Sequence, residues 1–273
     1  HQKMDRLTSR ATELELRIRS SLFGEARVIA CTLTGCANRV LEGEHYSTLF
    51  IDEAAQALEA ACWIGIRKAG RVILAGDHCQ LPPTVKSIMA LKGGLGKTLM
   101  ERIAEQKPEV VTLLEVQYRM NEQIMRFSSD YFYNSRVQSA PEVRGRGILD
   151  YDRPMMWVDT TDVDGREEFV GENFGRINRA EADLTLATLA DYFDKIGRQR
   201  VLDESIDVGI ISPYRAQVQL LRKMIRQSER LRPYRRLITV NTVDGFQGQE
   251  RDIVLISLVR DNDGGDIGFL RDL

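Results

Sequence analysis

This chain has few of the residues that announce special chemistry. Its 273 residues include four cysteines, three histidines and seven prolines, and aromatic residues make up 7%. Cys31, Cys36, Cys62 and Cys79 show no C-x-x-C spacing and no paired histidines nearby, which argues against a structural zinc site. They read instead as reduced core cysteines of a cytosolic protein. No apolar run approaches the roughly 18 residues a membrane helix needs. The opening residues, HQKMDRLTSR, are polar and lack the apolar segment of a signal peptide. The expected location is therefore cytoplasmic, with no membrane partner. Net charge is only −2 and the pI is about 6.1, so overall charge does not point to a polyanionic ligand.

Against these absences stands an ordinary globular composition, 43% apolar and 29% charged, with room for two small domains or one large one. Residues 5–23 space Leu7, Ala11, Leu14, Ile18 and Leu22 as an amphipathic helix. Strand-like runs follow at 27–33, 48–51 and 71–75, with a helical pattern over 54–68. Later runs predict strands at 112–116, 155–158, 207–211, 237–240 and 252–259, and helices at 99–106, 121–133 and 214–227, with a further helix reaching Phe193 from an N-cap at Asn178, three residues before Glu181. That alternation predicts parallel sheets covered by helices. Charge is uneven: between Arg215 and Arg236 there are eight basic residues and one acidic residue, Glu229. Such a run is either a solvated helix face or a surface for a phosphate backbone.

The most informative segment runs from Thr48 to Pro83. A strand ending at Ile51 delivers Asp52 and Glu53 to its carboxyl end, and a second ending at Ala75 delivers Gly76, Asp77 and Gln80. Ligands of open parallel sheets bind at such edges. Two adjacent carboxylates suit nucleotide hydrolysis, one holding Mg²⁺ and the other activating water, although strand-end acidic pairs are also common in solvated loops.

FIDEAAQ and GDHCQLPP resemble motifs II and III of the Upf-like branch of superfamily 1 helicases. QYRMN (117–121), ISPYRAQ (211–217) and TVDGFQGQERDIVLISLVR (242–260) resemble later motifs of that branch, in the same order. The resemblance runs from about Val28 to the end. It implies an α/β fold of RecA-like parallel sheets flanked by helices, in two P-loop-NTPase-type domains. Residues 1–110 would be the later part of the first, and residues 111–273 the second.

The resemblance further implies ATP and Mg²⁺ as cofactors, single-stranded DNA or RNA as partner, 5′-to-3′ movement and a monomeric state. Asp52 would hold Mg²⁺ through water, Glu53 would be the general base, and Gln80 would sense the γ-phosphate with Asp77 beside it. Tyr118 would stack on adenine, and Arg119 would act as an arginine finger from the second domain; its plainer alternative is a salt bridge. Glu250 would bind the ribose, with Gly248 allowing close backbone approach. Thr32, Thr34, Ser212, Pro213, Tyr214, Gln217, Thr242, Val243 and the adjoining Asp244 would line the strand-binding groove, although each hydroxyl could equally be a helix cap.

The phosphate loop expected of such an enzyme is missing. Leu91–Met100 (LKGGLGKTLM) ends like G-x-x-x-x-G-K-[ST] but carries Leu91 where glycine is required, and no strand precedes it. It reads as a connection and helix start. With His1 at the front and GFLRDL at the end, where an arginine-bearing motif VI would begin, the chain is expected to be a piece of a longer helicase and inactive alone. A non-catalytic nucleic-acid or protein binding module that keeps the fold is the alternative reading.

Overall fold

A computed structural model of the chain describes residues 2–163, 165–171 and 175–268. The chain divides into two compact units, His1–Thr112 and Leu113–Leu273.

The first unit opens with helix α1 (Gln2–Glu25). Its amphipathic stripe does not build core: Leu7, Leu14, Ile18 and Leu22 are all exposed. The expected strand over 27–33 is not formed, and Val28 is exposed. Strands β1 (Tyr46–Ile51) and β2 (Ala69–Leu74) pair in parallel, with Ile51 opposite Leu74. Their connection contains helix α2 (Glu59–Ile66), the crossover a parallel pair requires. Two short helices follow, α3 (Ile88–Lys92) and α4 (Leu99–Gln106). Thr98 caps α4 by accepting the Glu101 N–H at 3.1 Å, and Lys97 pairs with Glu105. The glycine-rich segment before α4 is thus a connection and helix start. A small core of Ile51, Ala54 and Cys62 sits beneath the pair.

The second unit begins with the short parallel pair β3 (Val116–Gln117) and β4 (Gln138–Ser139), which flanks helix α5 (Glu122–Phe132). Helix α6 (Pro141–Arg144) and an antiparallel pair, β5 (Glu168–Val170) and β6 (Gly175–Ile177), come next. The strand expected at 155–158 is absent, and Met155, Met156 and Trp157 are exposed. Helix α7 (Arg179–Ile196) starts at the cap expected from its sequence, Asn178 accepting the Glu181 N–H at 3.0 Å. Helix α8 (Arg198–Asp203) follows it.

The main sheet is parallel, with β7 (Val208–Ile211) between β8 (Ile238–Asn241) and β9 (Ile253–Ile256). Helix α9 (Arg215–Gln227) connects β7 to β8, and the one-turn helix α10 (Val243–Phe246) follows β8. Leu186, Leu189 and Phe193 of α7 meet Val208 and Ile210 of β7 and Val218, Leu221 and Ile225 of α9 in the larger core. The ring centres of Phe193 and Tyr234 are 4.4 Å apart. At roughly 1.5–3 kcal/mol for each large apolar side chain buried, this cluster dominates the unit's stability. The fold is α/β, with parallel sheets and helical crossovers. Among the described residues no helix is long and apolar enough to cross a membrane.

Candidate functional site

The parallel register of β1 and β2 brings both acidic loops of the first unit to one edge. The pairing continues past the strands, with Ala75 N donating to Ile51 O and Ala54 N to Ala75 O, each at 2.8 Å. Asp52 and Glu53 therefore leave the sheet beside Gly76 and Asp77. Glu53 is held in the left-handed region at φ 51°, ψ 40°, a conformation costly for a non-glycine residue and concentrated at functional turns. Asp52 Oδ1 accepts the Glu53 N–H at 3.0 Å, and Glu53 Oε2 accepts from Gln56 Nε2 at 2.8 Å. Both carboxylates are exposed.

Gly76 fixes how closely the two loops approach. A Cβ at this position would lie 2.9 Å from Ala54 N, closer than real Cβ atoms come, and a tight 3.1 Å from Ala55 N. Beyond it, Asp77 organises the second loop: its Oδ1 accepts the Cys79 N–H at 3.0 Å and its Oδ2 accepts from Gln80 Nε2 at 2.8 Å. Gln80 is thereby tied to Asp77, with its side chain exposed at the same edge. Asp77, His78 and Cys79 also bring potential metal-ligand atoms within 4.8 Å of one another, but both Asp77 oxygens are already engaged within the loop. Burial, and then the Asp77 charge, push the Cys79 thiol above its ordinary range.

A hard oxygen ligand with open coordination space suits Mg²⁺, which typically takes one or two carboxylates and fills its remaining positions with water and phosphate. Asp52 meets that requirement: it is exposed, and Oδ2 has no hydrogen-bond partner among the described residues.

In the second unit the QYRMN turn is built by its glutamine. Gln117 Oε1 accepts the N–H groups of Arg119 (2.7 Å) and Met120 (2.9 Å), while Nε2 donates to Met120 O and Ser139 Oγ. Asn121 caps α5 and donates to Arg146 O at 2.8 Å, and Arg146 returns a bond to Arg119 O. With the turn satisfied internally, Tyr118 (67% exposed) and Arg119 project outward. The Arg119 guanidinium pairs with Glu250 through Nε–Oε2 at 2.9 Å, which is the simpler of its two readings.

Gly248 has φ +75°, so the left-handed backbone requires glycine. A Cβ there would meet no heavy atom of the described residues within 4 Å, so the space beside this backbone is open. Neighbouring Gln247 carries an Nε2 shielded from solvent and without an acceptor among the described residues. Its position in the GFQGQE string was the only sequence signal for it.

The residues expected in the strand groove separate into two groups. Thr32 and Thr34 are exposed, with hydroxyls 3.3 Å apart, and Thr32 Oγ1 accepts the Gly35 N–H at 3.1 Å. Pro213 and Tyr214 are half-buried, and Arg260 Nη1 donates to the Tyr214 hydroxyl at 3.4 Å. Thr242 opens α10 without making a side-chain cap, and Val243 and Asp244 are exposed beside it. Ser212 and Gln217 depart from the expectation, since both are fully buried. Gln217 accepts the Asn178 N–H at 3.0 Å and donates to Asn178 O (2.9 Å) and Ser257 Oγ (3.1 Å). It sits one helical turn before Leu221 on the apolar face of α9, and that spacing was legible in the sequence.

The basic run resolves into separate uses. Arg230 pairs with Asp191 and Asp194, and Arg232 with Glu229. Arg222 donates to Val240 O, and Arg235 to carbonyls at the end of α9. Much of the run is therefore structural.

Strand-end carboxylates on a parallel sheet thus stand beside Gly76 and an Asp–Gln loop at one edge. Two family profiles, each described as an AAA domain, match residues 1–88 and residues 95–273. The chain belongs to this family, in the Upf-like branch of superfamily 1 helicases. It is 34% identical, over all of its length and 40% of the relative's, to an uncharacterised ATP-dependent helicase of Methanocaldococcus jannaschii. It is 36% identical to DNA-binding protein SMUBP-2 of Mus musculus, over 90% of this chain and 25% of that protein. It is 33% identical to ATP-dependent helicase NAM7 of Saccharomyces cerevisiae, over 97% of this chain and 27% of that protein. The chain thus spans well under half the length of these curated relatives.

Proposed function

We propose that this chain is part of an ATP-dependent helicase or translocase that couples ATP hydrolysis to 5′-to-3′ movement along single-stranded DNA or RNA. The observation that carries the reading is the shared edge of β1 and β2. Asp52, Glu53, Asp77 and Gln80 emerge there together, with Gly76 packed against the amide of Ala54. The ATP dependence of named relatives supports the cofactor, and the DNA-binding name of SMUBP-2 supports the nucleic-acid partner.

In this reading Asp52 offers its free oxygen to hydrated Mg²⁺, which when bound neutralises phosphate charge. Glu53, fixed in its left-handed turn, takes the proton of the attacking water. Gln80, steadied by Asp77, hydrogen-bonds the γ-phosphate or that water and reports hydrolysis to the loop. Tyr118 stacks on adenine, Arg119 stabilises charge on the transferred phosphoryl, and Glu250 binds the ribose hydroxyls beside the Gly248 turn. Thr32, Thr34, Pro213, Tyr214, Thr242 and Val243 contact the strand through backbone and hydroxyl groups, a sequence-independent mode suited to a motor. Ser212 and Gln217, both buried within the second unit, hold the ends of its β-strands in place.

ATP turnover of the intact protein, measured with and without a single-stranded oligonucleotide, tests this reading. Turnover that rises with the oligonucleotide is expected. Strand binding with no turnover under any condition would favour a binding module instead.

A further inference from the structure

The cysteines were expected to be reduced core thiols. Cys62 fits, being fully buried and pushed up in pKa by that burial. Cys36 fits in its burial, but Cys31 does not. Cys31 is exposed, Cys36 is buried, and their Sγ atoms lie 3.5 Å apart across the loop that carries Thr32 and Thr34. Gly35 lets the pair meet: a Cβ there would come within 3.1 Å of Thr32 Oγ1 and 3.3 Å of Cys31 Cβ.

We propose that Cys31 and Cys36 form a redox modification site, closing to a reversible intramolecular disulfide that restrains the Thr32–Thr34 loop. A disulfide needs the sulfurs at about 2.05 Å, so closure requires a movement of roughly 1.5 Å, which the irregular residues 31–33 ahead of the 3₁₀ turn Thr34–Ala37 can absorb. The two thiols have distinct roles. Burial, then the hydrogen bond and charge of Cys31, hold the Cys36 thiol above its ordinary range, so Cys36 stays protonated while solvent-facing Cys31 meets the oxidant.

With a hydroperoxide as oxidant, the Cys31 thiolate attacks one peroxide oxygen and the O–O bond breaks. Cys31 becomes a sulfenic acid, and hydroxide leaves and takes up a proton as water. The Cys36 sulfur then attacks the Cys31 sulfur, its proton leaves with the departing hydroxyl as a second water, and the S–S bond forms. Two thiols and one hydrogen peroxide give one disulfide and two waters. A dithiol reductant reverses the step by exchange.

The pairing itself is independent of any functional reading. Its consequence rests on the proposed strand contact of Thr32 and Thr34: a closed ring would hold both hydroxyls in one geometry and weaken strand binding.

The test treats the intact protein with hydrogen peroxide, blocks free thiols by alkylation and maps peptides. Cutting after Arg27 and Arg39 places both cysteines in one peptide, Val28–Arg39, which holds no other cysteine. The expected result is a Val28–Arg39 peptide lighter by two hydrogens and protected from alkylation. Dithiothreitol should restore it, while Cys62 and Cys79 remain free. Gly35→Ala should slow closure with both thiols still present, and Cys31→Ser should abolish it. Strand affinity of the oxidised protein should fall by about tenfold, the size of one or two lost backbone contacts, and recover on reduction. Two alkylatable thiols after oxidation, or linkage between separate molecules, would overturn the proposal. A disulfide that forms while neither oxidation nor Thr32→Ala moves strand affinity would leave the modification site standing and remove the strand-contact reading of this loop.

Discussion

Arg119 and Glu250, 131 positions apart in sequence, meet through a 2.9 Å bond between Nε and Oε2. Both side chains are more than half exposed, at 56% and 71%. An ion pair this wet is typically worth about 0–1 kcal/mol. It can hold the guanidinium in place and still release it to a ligand at little cost. The same two residues are those the family resemblance assigns to phosphate and ribose, so the pair marks the two ends of one proposed nucleotide-facing surface within the second unit.

Glu250→Gln should therefore leave thermal stability nearly unchanged, by less than about 1 kcal/mol. Arg119→Ala should lower kcat of the intact protein by about 10³-fold, the scale of a finger-type arginine. Arg119→Lys should rescue poorly, because a point charge lacks the planar fork. Strand affinity without nucleotide should hold. A variant with normal turnover and lost strand binding would move Arg119 to the nucleic-acid side.

Gly76→Val introduces atoms where Ala54 N already stands 2.9 Å from an ideal Cβ. The two acidic loops must separate to admit them. We expect a loss of about 1–3 kcal/mol in stability, as for overpacking. Turnover should fall more than nucleotide affinity, because Glu53 and Gln80 lose their alignment. Chemical denaturation together with steady-state kinetics checks both, and unchanged kinetics would show that the loops need not touch.

Gln217→Leu keeps roughly the volume of a fully buried side chain but leaves the Asn178 N–H and the buried Ser257 hydroxyl without their Gln217 partner, while Asn178 O keeps the Ala182 N–H. The expected cost is about 1–3 kcal/mol per orphaned buried group. Strand affinity of the protein that remains folded should not change. An affinity loss at full stability would return Gln217 to the groove.

These variants also show where the sequence was legible. Chain order and strand-end chemistry were readable, because an apolar run followed by Asp-Glu or Gly-Asp leaves few other structures. The Asn178 cap of α7 was likewise written three residues ahead, in Glu181. What failed were strands without partners. Residues 27–33 and 155–158 carry β-prone composition, but a strand exists only where a neighbour supplies its ladder, and none does among the described residues. Gln217 was misplaced because its motif was weighed above its spacing from Leu221. Cys31 was misplaced because a cysteine's average burial says nothing about the loop it occupies.

The most direct measurement is a comparison of Glu53→Gln with the parent in the intact protein, following nucleotide binding and single-turnover ATP hydrolysis with single-stranded nucleic acid present. Glu53→Gln keeps the shape of the turn and removes only the base. The account predicts nucleotide affinity close to the parent's and hydrolysis slower by about 10²–10⁴-fold, the usual contribution of a general base. Hydrolysis within a small factor of the parent would contradict it and reduce Glu53 to a solvated carboxylate at the end of a strand.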